Sequence, residues 1–184
     1  MSAIPKRIIT VFGTSAAADT DPVFHAGVEM GRMLARKGFE IANGGYGGTM
    51  RAVAKGASSV GAKVYGVTCS AFKRGKANEF VTDEIKTENL NGRLEKLIAM
   101  GDGYIALPGG TGTLLELAWV WEHKNKGFQT AGKPIVLLGD FWKPLIEIMK
   151  QADSDCGNCI YEAQTPQQAA DYLAGCFSDR EEKT

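Results

Sequence analysis

An α/β fold built on a parallel sheet is expected from three features of the 184-residue chain. Short apolar runs recur along it, longer segments of helical period separate them, and three of the runs end in clusters of Gly, Ser and Thr. The runs are residues 7–12 (RIITVF), 39–43 (FEIAN), 63–68 (KVYGVT), 104–108 (YIALP) and 134–139 (PIVLLG). Each is nearly continuous in apolar character, as a strand covered on both faces must be. Strand and helix alternating in this way give a Rossmann-like doubly wound parallel sheet with helices on both faces, in a single domain. That domain is expected over 1–178, with 179–184 as a polar, solvated tail.

RIITVF is expected to be the first strand and not a secretory leader, because it reaches Gly13 after a short apolar run and no cleavage-site pattern follows. Asp21 is placed to cap the next helix with Pro22 at its first position. Val23, Ala26, Met30, Met33, Leu34 and Lys37 then share one face before Gly38. Helices are expected likewise at 48–61, 88–101, 113–127, 142–153 and 166–177. The last opens on a capping box, with Thr165 as N-cap and Gln168 reaching back. Residues 69–87 have no clear period and read as a surface excursion near the ligand.

Composition excludes several classes of partner. With 44% hydrophobic residues the chain can build one core, and Lys plus Arg equals Asp plus Glu at 21 each. No excess charge is available to hold nucleic acid or an acidic membrane, and no stretch approaches the roughly 18 to 20 apolar residues of a membrane span. A cytoplasmic protein acting on a small molecule is expected. Four cysteines, Cys69, Cys156, Cys159 and Cys176, are too few and too scattered for a disulfide scaffold.

In an open parallel sheet the ligand lies beyond the carboxyl ends of the strands, where neighbouring connections leave on opposite faces. Three small-residue loops fall at that edge: 13–17 (GTSAA), 43–48 (NGGYGG) and 108–113 (PGGTGT). Glycine lets backbone N–H groups approach an anion, and the helix that follows offers unpaired N–H groups and a positive dipole end. Gly13, Thr14, Ser15, Gly44, Gly45, Gly47, Gly109, Gly110, Thr111, Gly112 and Thr113 are therefore candidates for holding a phosphate. The alternative is that the glycines only turn a strand sharply into a helix.

A dinucleotide site would need G-x-G-x-x-G after the first strand and an acid ending the second. The chain has GTSAAA and Asn43, and no G-x-x-x-x-G-K-[ST] motif for ATP. One nucleoside with one phosphate is the simpler ligand. Glu116, one turn into the helix after PGGTGT, can face the sugar of such a ligand, to stabilise positive charge on the ribose or to guide a water. It can equally be a first-turn acid that complements the helix dipole. Glu122 is expected at the surface. Arg93, beside Leu90, Leu94 and Leu97, reads from pattern alone as part of a solvated face.

These segments resemble the Lonely Guy (LOG) family, the cytokinin riboside 5′-monophosphate phosphoribohydrolases once labelled possible lysine decarboxylases. The resemblance runs from VFGTSA through LARKGFEIANGGYGGTMRAVAKGA and VYGVT to IALPGGTGTLLELAWVWEHKNKG and KPIVLLG, most of residues 8–140. PGGTGTLLE matches the family's P-G-G-x-G-T-x-x-E, and GGYGGTM matches its second glycine loop. The resemblance implies a 5′-phosphate site on the glycine loop, with Glu116 and Arg93 as the catalytic glutamate and arginine. It also implies hydrolysis of a nucleoside 5′-monophosphate to free base and ribose 5-phosphate, without metal or cofactor, in a homodimer or larger assembly paired through helices.

The chain departs from the characterised cytokinin-activating members around the arginine. They carry Met-His before it and Lys after it, where this chain has Leu90, Asn91, Gly92 and Leu94. Thr111 also stands in place of an aromatic residue. Both differences point to a divergent branch. A related branch resembles molybdenum cofactor carrier proteins, which implies the alternative of a non-catalytic protein that binds a phosphorylated ligand. A pyridoxal-dependent lysine decarboxylase finds no support, since no Lys stands out near the loops.

CGNC at 156–159 reads as a surface turn with two incidental thiols, because no second C-x-x-C and no nearby His completes a zinc site. His25 can line the pocket or be a satisfied helix histidine. Trp119, Trp121 and Trp142 are expected to pack the core or a dimer face.

Overall fold

Ile8–Phe12 (β1) lies at the centre of a seven-stranded sheet in the computed structural model, which describes residues 6–72, 75–128 and 131–181. From β1 the chain passes through α1 (Pro22–Arg36) to β2 (Glu40–Asn43), then through α2 (Thr49–Ser58) to β3 (Val64–Cys69). After a short turn of 3₁₀ helix at Ser70–Phe72 comes β4 (Asp83–Thr87), and α3 (Leu90–Met100) returns the chain to β5 (Gly103–Ala106). The remaining elements are α4 (Thr111–Asn125), β6 (Ile135–Leu138), α5 (Lys143–Ala152), β7 (Ile160–Ala163) and α6 (Pro166–Glu181).

Strand order is β4-β3-β2-β1-β5-β6-β7, with every neighbouring pair parallel. Alternate strand residues divide two cores. Ile9, Val11, Ile41, Ile105 and Val136 pack with Met30 and Leu34 of α1, Val53 and Ala57 of α2 and Leu173 of α6. Phe12, Tyr104, Ala106, Ile135 and Leu137 pack with Leu94 and Leu97 of α3, Leu117, Val120 and Trp121 of α4 and Ile146 of α5. The doubly wound α/β sheet expected from the sequence is therefore observed.

Two strands are absent from the expectation, and both are edges. In β4 only Ile85 is a large apolar residue, and every residue of DEIKT is at least partly exposed. In β7 only Ala163 is fully buried. An edge strand has half the neighbours of a central one and tolerates charge, so it carries no continuous apolar run. The 69–87 excursion is thus irregular only up to β4, which pairs with β3 from Tyr65↔Asp83 to Cys69↔Thr87.

The face of α1 is also rotated from the expected one. It buries Phe24, Gly27, Met30, Gly31 and Leu34, because the helix lies against α2 as well as the sheet. A Cβ on Gly31 would overlap the Val53 carbonyl, and one on Gly56 would overlap that of Val28, so these glycines permit the close approach of the two helices. Asp21 is the N-cap by position, and its carboxylate accepts from Ala18 N (2.7 Å) and not from the helix. At α6, Thr165 Oγ1 accepts from Gln168 N (3.2 Å), while the Gln168 side chain accepts from Gln164 N (2.8 Å), one residue before the cap. The helix runs on to Glu181, past the expected 177, and 182–184 of the expected tail lie outside the described residues. No helix among the described residues is long and apolar enough to cross a membrane.

Candidate functional site

β1 connects outward through α1 on one side of the sheet, and β5, its neighbour, through α4 on the other. The crevice beyond their carboxyl ends is where the three small-residue loops meet. The first two loops are locked together: Thr14 O accepts from both Thr49 N (2.9 Å) and Thr49 Oγ1 (3.0 Å). A Cβ on Gly13 would collide with that same hydroxyl. Asn43, where a dinucleotide site would have its acid, fixes the second loop. Its Nδ2 donates to Met50 O (3.1 Å) and its Oδ1 accepts from Gly45 N (2.8 Å). From outside, Asn78 Nδ2 donates to the carbonyls of Gly45 (3.0 Å) and Tyr46 (2.9 Å).

The third loop ends at Gly110, the N-cap of α4, which offers no capping side chain. The first intrahelical bond runs from Leu114 N to Gly110 O (2.9 Å), so the N–H groups of residues 111–113 have no acceptor within the helix. They sit at the wall of a cavity of about 640 Å³. Trp142 steadies this loop from behind, donating from Nε1 to Leu107 O (3.1 Å).

Of the residues expected to hold phosphate, Gly13, Thr14, Ser15, Gly44, Gly110, Thr111, Gly112 and Thr113 line this cavity. Three do not. Gly45 adopts positive φ (76°) and packs against Gly66, and Gly109 makes room for the Thr113 side chain. Gly47 lines an adjoining cavity of about 440 Å³ with Ser15, Tyr46, Lys76 and Asn78. Gly45 thus answers a need for turning and Gly109 one for close packing, two roles that the bare motif does not separate from binding.

Arg93 and Glu116 both reach the cavity, and Arg93 corrects the reading of a solvated face: it is 7% exposed. Its Nε donates to Val67 O (2.9 Å) and its Nη1 to Glu116 Oε1 (3.3 Å). The guanidinium lies over the rings of Tyr46 (5.8 Å) and Phe72 (5.6 Å), within cation–π range. Gly44 completes the seat, since a Cβ there would overlap Nη2. Spacing places residues 90, 93, 94 and 97 on one helical face, but the partners that bury Arg93 come from Val67, Glu116, Tyr46 and Phe72 on other elements.

Glu116 is 9% exposed, and burial pushes its carboxyl up to about 7 even though Arg93 favours the charged form. A carboxyl titrating near neutrality in a cleft is suited to proton transfer. Glu122, by contrast, is a surface residue 3.7 Å from Lys126. Tyr46, Met50, Phe72 and Leu115 are among the wall residues that sequence reasoning missed. Tyr46 lies inside the second glycine motif, and Phe72 in the aperiodic excursion.

The remaining candidates lie elsewhere. His25 is exposed and away from the cavity, edge-on to Phe24. Cys156 is buried, not on a surface turn, because the CGNC segment packs under α4, where its carbonyl accepts from Trp121 Nε1 (2.7 Å). The four cysteines are free thiols, and among the described residues no group of three or more His, Cys, Asp or Glu is placed to hold a metal.

A family model described as SLOG cluster4 matches residues 6–170. The chain belongs to the SLOG cluster4 family. Within 128 aligned residues this SLOG protein is 31% identical to an uncharacterized protein of Archaeoglobus fulgidus, covering 69% of this chain and 83% of that one. It is 32% identical to the cytokinin riboside 5′-monophosphate phosphoribohydrolase of Rhodococcoides fascians over 67% of this chain, and spans 64% of that enzyme's length. The resemblance to LOG proteins read from PGGTGTLLE and GGYGGTM thus stands. Among solved structures, the SLOG fold superposes on a molybdenum cofactor binding protein from Rippkaea orientalis with a TM-score of 0.77 at 24% identity, covering 95% of this chain and 99% of that one.

Proposed function

We propose that this protein is a nucleoside 5′-monophosphate phosphoribohydrolase, cleaving the N-glycosidic bond to free base and ribose 5-phosphate. The observation that carries the reading is the buried Arg93–Glu116 pair facing the same cavity as the uncapped start of α4. The N–H groups of residues 111–113 would hold the 5′-phosphate, with the hydroxyls of Thr111 and Thr113 beside them. Glu116, one turn along, then meets the ribose. Relatives named as phosphoribohydrolases support the same chemistry.

Bond cleavage at C1′ proceeds through an oxocarbenium-like state. Water adds to C1′ as the C1′–N bond breaks, and the bonding electrons leave on the base. The water's proton passes to the Glu116 carboxylate and from there to the departing base nitrogen, which regenerates the carboxylate. A guanidinium cannot give up a proton near neutrality, so Arg93 acts as a fixed cation that orients the carboxylate and the nucleotide.

The second reading is a carrier for a larger phosphorylated ligand such as the molybdenum cofactor. It draws on the adjoining cavity, which shares Ser15 and Tyr46 with the first and extends the room beyond one nucleotide. Incubation with AMP and other nucleoside monophosphates, followed by chromatography for free base, separates the two. Release of base supports the hydrolase, and none from any substrate would favour the carrier.

A homo-oligomer belongs to the same reading. On α5 only Ile146 is fully buried, while Ile148 and Met149, with Phe141 just before the helix, are exposed. This apolar strip is a suitable face for pairing two subunits through helices.

A further inference from the structure

The lining of the main cavity divides by chemistry. Among the described residues its hydrogen-bonding side chains are Thr14, Ser15, Thr111 and Thr113 on the glycine loops, together with Arg93 and Glu116. The rest of the wall is apolar or aromatic. Met50, Phe72, Leu90, Leu94 and Leu115 have no group that reads a base edge, and the Tyr46 hydroxyl is engaged by Cys69, accepting from its N (2.8 Å) and donating to its O (3.2 Å). Leu90, three residues before Arg93, and Leu115, next to Glu116, each remain 41% exposed, so their side chains have surface left for a ligand to cover.

The glycine loops are matched to phosphate and the ion pair to the sugar, which leaves this apolar wall for the base. We propose that the wall is a base subsite that holds a nucleobase by its faces without reading its edge. Purine 5′-monophosphates that differ only in their exocyclic groups are then nearly equivalent ligands. This rests on the phosphoribohydrolase reading for its substrate class. The physical contrast is large: a site built to hydrogen-bond a polar group rejects the analogue lacking it by roughly 10⁴- to 10⁵-fold, whereas apolar contact discriminates by about 10- to 200-fold.

The test is kcat/KM for AMP, GMP and IMP on the full chain. The values are expected to lie within about two hundredfold of one another, the range that apolar contact discriminates, and a wider spread overturns the proposal. Leu115→Ala is expected to shift KM for all three by a common factor, and shifts that differ between bases by more than tenfold overturn it. If none of the three is hydrolysed, the hydrolase reading fails separately. Dissociation constants of AMP, GMP and IMP from calorimetry then decide. Values within about two hundredfold support an edge-blind wall, while a wider spread or no binding of any of the three overturns it.

Discussion

The Arg93 guanidinium stands 3.3 Å from the Glu116 carboxylate, with the two side chains 9% and 11% exposed. Truncating the cation leaves a buried carboxylate without its partner, and breaking such a pair costs about 3–5 kcal/mol when the remaining group stays charged. Glu116 can escape part of this by taking up a proton. Arg93→Met is therefore expected to lose about 3 kcal/mol of stability at pH 8 and measurably less at pH 6 in urea melts. Equal losses at both pH values would mean that the pair is not electrostatically coupled.

The raised Glu116 pKa has its own signature in the wild-type chain. Between the ordinary carboxylate value of 4.5 and about 7, the folded state binds more protons than the unfolded one, so stability falls as pH rises through that window. The contribution is fully present below 4.5 and lost above 7, on the order of 3 kcal/mol. Glu116→Gln, which cannot titrate, is expected to remove this slope from the pH dependence of unfolding. A slope unchanged by the substitution would assign it to other groups.

Gly44 has no Cβ because Arg93 Nη2 and the Met50 Sδ occupy the place where one would project. Gly44→Ala is expected to displace the guanidinium and lower kcat/KM for nucleotide hydrolysis at least tenfold, with the circular dichroism spectrum retained. Gly175→Ala is the control. No atom lies within 4 Å of an added Cβ there, and the residue is exposed in α6. It is expected to leave activity unchanged and raise stability by about 0.5–1 kcal/mol through helix propensity.

The apolar strip on α5 predicts a concentration-dependent assembly. Ile148→Lys with Met149→Asn is expected to shift a dimer or larger species to monomer in light scattering after size exclusion. A wild-type chain that runs as a monomer at all concentrations would exclude pairing through this face.

Central strands were legible because Ile9, Val64 and Val136 are buried on one face of the sheet and Phe12, Val67 and Leu137 on the other, which leaves continuous apolar runs in the sequence. Edge strands such as DEIKT leave none. The glycine loops were legible as a group, but not residue by residue. Gly13, Gly44, Gly45 and Gly109 look alike in a motif, and the constraint on each is an atom from elsewhere in the chain: Thr49, Arg93, Gly66 or Thr113. Arg93 was misread for the same reason. What buries it comes from β3, α4, the second glycine loop and the excursion at Phe72, contacts of long sequence separation that a local pattern does not encode.

The most direct measurement compares wild type and Glu116→Gln for base release from AMP across pH 5 to 9. Wild-type kcat/KM is expected to rise with pH through an apparent pKa near 7, as the carboxylate forms, and then level off. Glu116→Gln should fold and still bind AMP while losing at least a thousandfold in kcat. Base release by the variant at the wild-type rate, or a wild-type profile with no step near neutrality, would contradict this role of Glu116.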